Sequence, residues 1–314
     1  MTPAPPPPPH AWPALVAVLL GAVAGVLVLR RWAGDDDAGR RFFRQPTAAP
    51  GLGILLFFVL VAAAAPFVAP YAPSAQLDIV GLQNRPPSWV HPLGTDLYSR
   101  DLLSRLVYGA RVSLAVGALA MVVAVTVGAV IGLLAGYFRR WLDGALMRLV
   151  DVGLAIPRIF LLLMAVALWD RLPLGTLVLV IGLTGWFATS RLVRAEVLSL
   201  RERAYVDAAR ALGAPPARVM FRHILPNALA PLIVSAALGI GNVMLLEASL
   251  SFLGIGVAPP TPSWGNMIAD GKDQLATAPW TTLFPGLAIA LVVMALNAVG
   301  DSLRDALDPR QEAT

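Results

Sequence analysis

Few side chains in this 314-residue sequence have the types and spacing that catalysis requires. The phosphate-binding pattern Gly-x-x-x-x-Gly-Lys-Ser/Thr does not occur, and the single lysine, Lys272, has no such context. The three histidines, His10, His91 and His223, lack metal-ligand spacing, and the chain has no cysteine. No Ser/His/Asp or paired-carboxylate arrangement is evident either. We therefore predict a non-catalytic chain with no metal site and no cofactor, which cannot hydrolyse ATP through such a loop.

Polar residues are concentrated instead in one stretch, 205–226, which lies between two long apolar runs. Its first part predicts a helix that carries the run Asp-Ala-Ala at 207–209. Gly213 suits the left-handed position that ends a helix, and Pro215 and Pro216 can begin the next one but cannot continue the first. This helix, break and second helix indicate a docking surface. The alternative is an ordinary basic loop that follows the positive-inside rule.

Three charged residues lie close to or within apolar runs, where charge is costly and usually faces a partner or a cavity. We predict that Asp151 pairs with Arg148, and that Pro157 opens the helix just before Arg158. For Glu247 two interpretations stay open, a pore or gate residue and a hydrogen-bonded helix contact.

The composition places the elements that carry these residues in a membrane. Hydrophobic residues make up 57% of the chain, charged residues 14%, and the mean hydropathy is +0.71. A soluble protein would have about a quarter of its residues charged. The net charge is +5, but the arginines fall in several short loops rather than in one stripe, which argues against nucleic-acid binding.

Seven apolar runs are candidates to cross the membrane as helices, which predicts an all-α, polytopic helical bundle. They lie near 14–30, 51–70, 112–136, 147–169, 176–193, 228–255 and 282–302. Before the first run, the proline-rich segment 2–9 predicts an extended tail. Arginines after that run predict an N-terminus outside the cell.

The arginines also predict the direction of the other spans. They flank the loop after the third run, crowd the stretch 194–226 and follow the last run, so these regions should face the cytoplasm. The loops near 71–111, 170–175 and 256–281 should then face out.

The third run contains three glycines at a spacing of four, which places them on one face of the helix: Gly128, Gly132 and Gly136. Such a face lets another helix approach closely. Routine helix packing is the favoured interpretation, and a contact within a translocation core is the alternative.

A second distinctive segment covers residues 91–114. Gly94-Thr95-Asp96 predicts a turn and a helix start. Arg100, Asp101 and Arg105 would then lie on an amphipathic helix that leads into the next span.

Several of these segments resemble a known family. Asp-Ala-Ala at 207–209, Gly213 and Leu-Pro at 225–226 resemble the coupling motif of ABC importer permeases, which is Glu-Ala-Ala, a later Gly and Ile-x-Leu-Pro. Asp207 replaces the usual Glu, and His223 replaces the usual Ile. Segments 91–114, 247–256, 262–267 and 300–310 resemble one permease subunit of dipeptide, oligopeptide and nickel importers.

The resemblance, which covers about residues 40–310, implies partners and site residues. The partners would be two ABC ATPase subunits, a second homologous permease subunit and a periplasmic or extracellular solute-binding protein, in membrane lipid. The implied coupling residues are Arg203, Asp207, Ala208, Ala209, Arg210, Leu212, Gly213, Arg218, Leu225 and Pro226. The charged members would make polar docking contacts. The alanines and the first leucine would fill a groove, and the glycine would set the turn.

The resemblance further implies a type I ABC importer transmembrane fold in a bacterial cytoplasmic membrane, here with one extra N-terminal span. The expected parts are 1–45 (tail, extra span and linker), 46–108 (first core span and outer segment), 109–302 (transmembrane domain with coupling loop 194–226) and 303–314 (cytoplasmic tail).

Peptide is the expected cargo, with nickel or another small solute as alternatives. Two other classes stay open. One is a proton- or sodium-driven secondary transporter, for which Glu247 is the one candidate carboxylate. The other is a membrane scaffold without transport activity.

Overall fold

The regular elements of the described chain are helices, joined by irregular segments. A computed structural model describes residues 11–34, 36–168 and 173–307, apart from the side chain of Ala11. The first half contains α1 (Ala11–Ala33), α2 (Asp37–Arg44), α3 (Ala48–Ala63), α4 (Ala65–Val68), α5 (Leu102–Phe138), α6 (Arg140–Ala155) and α7 (Arg158–Val166). The second half contains α8 (Leu174–Leu183), α9 (Trp186–Leu200), α10 (Ala204–Ala211), α11 (Pro216–Arg218), α12 (Leu225–Phe252), α13 (Trp264–Gly271) and α14 (Trp280–Leu307).

Four helices are each long and apolar enough to cross a membrane, namely α1, α5, the continuous helix Pro216–Phe252 and α14. Three bent pairs raise the number to seven if each pair is one span. They are α2 with α3, α6 with α7, and α8 with α9, bent by 94°, 86° and 43°. Every predicted apolar run therefore lies on helical structure, which confirms the all-α membrane bundle.

The predicted opening of the helix at Pro157 is also confirmed. The first helix of that pair ends at Ala155, and the second begins at Arg158. Because proline lacks an N–H and its ring clashes with the preceding turn, a helix cannot pass through this position undisturbed.

The helix start expected at Gly94-Thr95-Asp96 is wrong, since α5 begins at Leu102. The Asp96 carboxylate accepts hydrogen bonds from the backbone N–H groups of Tyr98 and Arg100, both at 2.9 Å. An aspartate whose side chain accepts hydrogen bonds from the backbone N–H groups of the residues that follow it favours a turn over a helix. Arg100 and Asp101 consequently precede the helix.

The chain divides into two compact units. The first contains the described residues up to Gly117 and those from Ile240 onward. Its core includes buried Leu102, Met244, Trp264 and Val292. The indole Nε1 of Trp264 donates to the Leu106 carbonyl oxygen at 2.9 Å, so even the largest buried side chain has its polar atom satisfied.

The additional N-terminal helix, α1, packs on α3 within the first unit. Ala22 is buried, and a Cβ atom added to Gly25 would lie 3.3 Å from Leu56 Cδ1. Small residues on this face therefore let the two helices approach closely, as is common between helices in membranes.

The second unit contains most residues from Ala118 to Gly239, and close contact between α5 and α9 organises it. Cβ atoms added to Gly128, Gly132 and Gly136 would lie within 2.6 to 2.8 Å of the Cβ atoms of Thr189, Val193 and Val197, respectively. Larger side chains have no room there. The glycine spacing therefore serves helix packing, the favoured of the two interpretations.

Two predicted tails fall mainly outside the described residues. They are the proline-rich segment 2–9 and the part of the C-terminal segment 303–314 beyond residue 307.

Candidate coupling site

The candidate site is built around α10, a short helix with a well-defined end. Gly213 has φ +78°, in the left-handed region predicted from the sequence. Its N–H donates to the Arg210 carbonyl at 2.9 Å, and the Ala214 N–H donates to the Ala209 carbonyl at 3.1 Å. These two bonds form a Schellman motif, which satisfies carbonyl groups that the helix end would leave unpaired.

The chain then turns into a second helix, again as predicted. Pro215 has φ −66° and ψ 154°, and Pro216 is the first residue of α11. A π-helical segment, Val219–Ile224, joins α11 to α12 without interruption. Leu225 and Pro226 are the first residues of α12 and lie inside the continuous helix Pro216–Phe252.

One side of α10 faces solvent and the other faces its own unit. Asp207 and Ala208 are exposed, and Leu212 is 88% exposed. Val206 and Ala209 are buried, the first of them in a cluster with Leu133, Val193, Val197 and Ile224. Of the three residues expected to fill a partner's groove, only Ala208 and Leu212 are thus open to a partner.

Charged residues lie on α10 and in the segments before and after it. Arg203, in extended backbone conformation, precedes the first residue of α10, and Arg218 ends α11. Both are exposed. Arg210 Nη1 lies 3.4 Å from Asp207 Oδ1, an exposed pair three residues apart. Exposed pairs of this kind stabilise little, so the Asp207 carboxylate is available for new contacts.

The side chain of Tyr137, near the end of α5, contacts Arg210 of α10. No sequence motif indicated this contact. The centroid of the Tyr137 ring lies 5.4 Å from the Arg210 guanidinium carbon and 6.0 Å from that of Arg201. Arg201 Nη1 also donates to the Tyr137 carbonyl at 2.9 Å. Two cations beside one aromatic ring attract it electrostatically. Burial, with Arg139 and Arg210 nearby, lowers the pKa of Arg201.

Glu247 lies in the first unit and is 1% exposed. Its Oε1 accepts hydrogen bonds from Ser251 Oγ at 2.7 Å and from Ser263 Oγ at 2.9 Å. Ser263 in turn caps α13 in a reciprocal capping box with Asn266. Of the two interpretations of Glu247, this geometry favours the hydrogen-bonded helix contact. The same hydrogen bonds link α12 to the start of α13.

A buried ionic cluster in the outer segment was not predicted as a unit. Asp96 Oδ2 accepts from Arg100 Nε at 2.7 Å and from Arg105 Nη1 at 3.0 Å. Both arginines also bind Asp270 Oδ2, at 2.7 and 3.0 Å. Burial raises the pKa of the Asp96 carboxyl, and the Arg100 guanidinium opposes that rise. The cluster joins segments 165 to 170 positions apart, a separation that motif spacing does not reveal.

His91 is paired beside this cluster. Its Nδ1 lies 2.9 Å from Asp101 Oδ1, and both side chains are buried. Ser104 Oγ donates to the other oxygen of Asp101 at 2.7 Å. Among the described residues no group of three or more His, Cys, Asp or Glu side chains could hold a metal ion.

The predicted Asp151–Arg148 pair is wrong, since Asp151 pairs with Arg191 of α9. The neighbouring Arg194 binds Asp143 through two bonds, Nε to Oδ1 at 2.5 Å and Nη2 to Oδ2 at 2.7 Å. Because α6 packs on α9, its carboxylates meet arginines of the facing helix rather than one of their own.

Two family models match the chain. The model described as binding-protein-dependent transport system inner membrane component matches residues 128–313. The model described as the N-terminal TM domain of oligopeptide transport permease C matches residues 36–87. All of α1 precedes both matched ranges.

Relatives align over most of the chain. A dipeptide transport system permease protein of Alkalihalophilus pseudofirmus is 42% identical over 277 residues, 88% of this chain and 90% of the relative. A di/tripeptide transport system permease protein of Pseudomonas aeruginosa is 44% identical over 275 residues, 86% and 90% of the two chains. A glutathione transport system permease protein of Pectobacterium atrosepticum is 40% identical over 272 residues, 86% and 89%.

Proposed function

Because the chain belongs to the family of binding-protein-dependent transport system inner membrane components, we propose that it is the permease subunit of an ATP-driven peptide importer. It is a multi-pass protein of the inner membrane with a type I ABC permease domain. ATP hydrolysis is assigned to two partner ATPase subunits. A second, homologous permease subunit and an external solute-binding protein complete the importer.

The observation that carries this proposal is the outward face of α10. A leucine 88% exposed beside an exposed alanine is an apolar surface that the part of the chain the structure describes leaves uncovered. The Schellman motif fixes the turn at the end of α10, and exposed arginines precede and follow this helix along the chain. A groove on an ATPase subunit that accepts a small apolar ridge between charges would complement it.

In the proposed cycle, ATP binding brings the two ATPase subunits together and displaces the docked α10. The buried side of α10 then transmits the displacement to α5 and α9, through Val206 and the Tyr137 contacts. Because these helices are packed closely, they move as bodies between inward-open and outward-open states.

Peptide is the proposed cargo because relatives over nearly the whole chain are named for dipeptides, di/tripeptides and glutathione. These names favour peptide over nickel as the solute. An ion-driven secondary transporter is disfavoured because its one candidate carboxylate, Glu247, is held by two serine hydroxyls.

The test is co-purification of the tagged chain in detergent with an ATP-binding subunit, followed by an ATPase assay. Asp207→Arg should abolish co-purification, while Asp273→Arg should not, because Asp273 is also exposed but lies in the first unit, far along the chain from α10. Isolation of the intact chain without any ATPase, both for the unchanged protein and for Asp207→Arg, would overturn the proposal. It would redirect attention to ion-driven transport.

A further inference from the structure

We propose that the corner between α1 and α2 is a binding site for the headgroups of anionic phospholipids. The corner contains the last turn of α1, with Arg30 and Arg31, and the short basic helix α2, with Arg40, Arg41 and Arg44. The arginines of α1 precede the region that the family models match, whereas α2 lies within the matched range 36–87. The corner therefore joins a helix outside the matched ranges to the first helix inside them.

The two helices meet at a tight and specific contact. A Cβ atom added to Gly39 would lie 2.6 Å from Ala33 Cβ and 2.8 Å from Ala33 Cα. Arg40 Nη1 donates to the Gly34 carbonyl oxygen at 3.2 Å. The absence of a side chain at Gly39 therefore lets α2 abut the end of α1, so that the basic helix α2 follows directly on the terminal arginines of α1.

The orientation of α2 places this corner at the membrane surface. The axis of α2 turns by 94° from that of α3. If α3 crosses the membrane, α2 lies along its surface, the position of interfacial amphipathic helices. At the other end of α2, Gln45 Nε2 donates to Asp305 Oδ2 of α14 at 2.5 Å, which holds that end to a second candidate span.

Charge and exposure define the ligand. Arg30, Arg31 and Arg44 are exposed, and within the described residues none of them has a carboxylate at ion-pair distance. The turn also carries acidic residues, of which Asp37 is engaged by Arg40 and Asp36 is exposed. Residues 30–44 contain five arginines and three aspartates, so the net charge of the corner is +2. Several cations held at a membrane surface without acidic partners attract phosphate groups of anionic lipids.

Trp32 supports a lipid rather than a soluble anion. It is 77% exposed and stands between the two terminal arginines of α1 and the turn to α2. Tryptophan is enriched at the membrane interface, where its ring meets acyl chains and its N–H meets headgroups. The outward face of α1 is also apolar, with Leu20, Leu27 and Val28 exposed beside the arginines. A headgroup at this corner would therefore have a surface for its acyl chains.

The experiment measures binding of phosphatidylglycerol to the full chain, in its complex, by native mass spectrometry. Phosphatidylcholine with the same acyl chains and inorganic phosphate serve as comparison ligands. We expect preferential binding of phosphatidylglycerol. Arg30→Gln, Arg31→Gln and Arg44→Gln together should weaken it by about fivefold for each arginine removed. Equal binding of both lipids, or an equal response to phosphate alone, would overturn the proposal.

Two further variants test whether lipid binding depends on the geometry of the corner or only on the net charge of the chain. Arg140→Gln, Arg148→Gln and Arg222→Gln remove the same charge from exposed positions in the second unit and should leave the lipid preference unchanged. Gly39→Val removes no charge but forces α2 away from Ala33, and should lower the preference. If the triple variant in the second unit loses as much lipid preference as the corner variant, or Gly39→Val loses none, the corner is not a site.

Discussion

The ring of Tyr137, in the last turn of α5, lies 5.4 Å from the guanidinium carbon of Arg210 on α10. Arg201, just after α9, approaches the same ring and donates to the backbone carbonyl of Tyr137. One aromatic ring thus joins the helix proposed to dock on an ATPase to the ends of two long helical segments.

Tyr137→Leu should uncouple ATP hydrolysis from transport. The variant removes the ring beneath two cations, an interaction of about 0.5–1 kcal/mol per exposed pair, but leaves the backbone carbonyl that Arg201 binds. We expect faster amide exchange in α10 and fewer solute molecules transported per ATP in reconstituted vesicles, with co-purification of the ATPase retained. Tyr137→Phe keeps the ring and should keep the coupling. Identical behaviour of the two variants would show that the ring does not link the helices.

Ala208→Trp should abolish docking without unfolding the spans. Ala208 is exposed on α10, so a large ring there would extend away from the buried side of the helix and fill the space that a partner's groove occupies. We expect loss of ATPase co-purification and of transport, with thermal unfolding unchanged. Ala145→Trp, at an exposed alanine of α6, is the matched control and should co-purify normally. Normal transport by Ala208→Trp would contradict the docking assignment.

Gly213→Ala should loosen the end of α10. No atom lies within 4 Å of the added Cβ, so the only cost is the positive φ, about 1–2 kcal/mol for a residue with a side chain. Gly144→Ala provides the opposite case, because its added Cβ also meets nothing within 4 Å but the residue lies within α6. That variant should gain about 0.5–1 kcal/mol in helix stability. Amide exchange of residues 206–214 and of 141–148 measures the change in local helix stability in the two variants. A change of the same sign in both variants would contradict the expectation.

Glu247→Gln and Glu247→Leu should differ strongly. The amide oxygen of glutamine can still accept from both serines, whereas leucine leaves two buried hydroxyl groups without their acceptor. An unsatisfied buried polar group costs about 1–3 kcal/mol. We expect Glu247→Gln to transport almost normally and Glu247→Leu to unfold at a lower temperature. A folded but transport-dead Glu247→Gln would instead indicate that the charge itself serves as a gate.

Much of this architecture could be predicted from local sequence features. The apolar runs indicated the spans because a segment in lipid must satisfy its backbone hydrogen bonds within a helix. Pro157 predicted the break before α7, and Gly213 predicted the end of α10, because each residue restricts or permits dihedral angles at its own position. The spacing of Gly128, Gly132 and Gly136 predicted a close helix contact because residues four apart share one helix face and glycine has no side chain there.

The tertiary structure alone decided which residues meet. Asp151 was expected to pair along its own helix, but it binds Arg191 on a facing helix. Ala208 and Ala209 are adjacent and identical in type, yet one faces solvent and the other is buried, because packing selects one face of α10. Asp270 meets Arg100 and Arg105 across more than 160 positions. Dihedral preferences act within a few residues, whereas ion pairs and burial depend on how distant segments pack, so no spacing in the sequence encodes them directly.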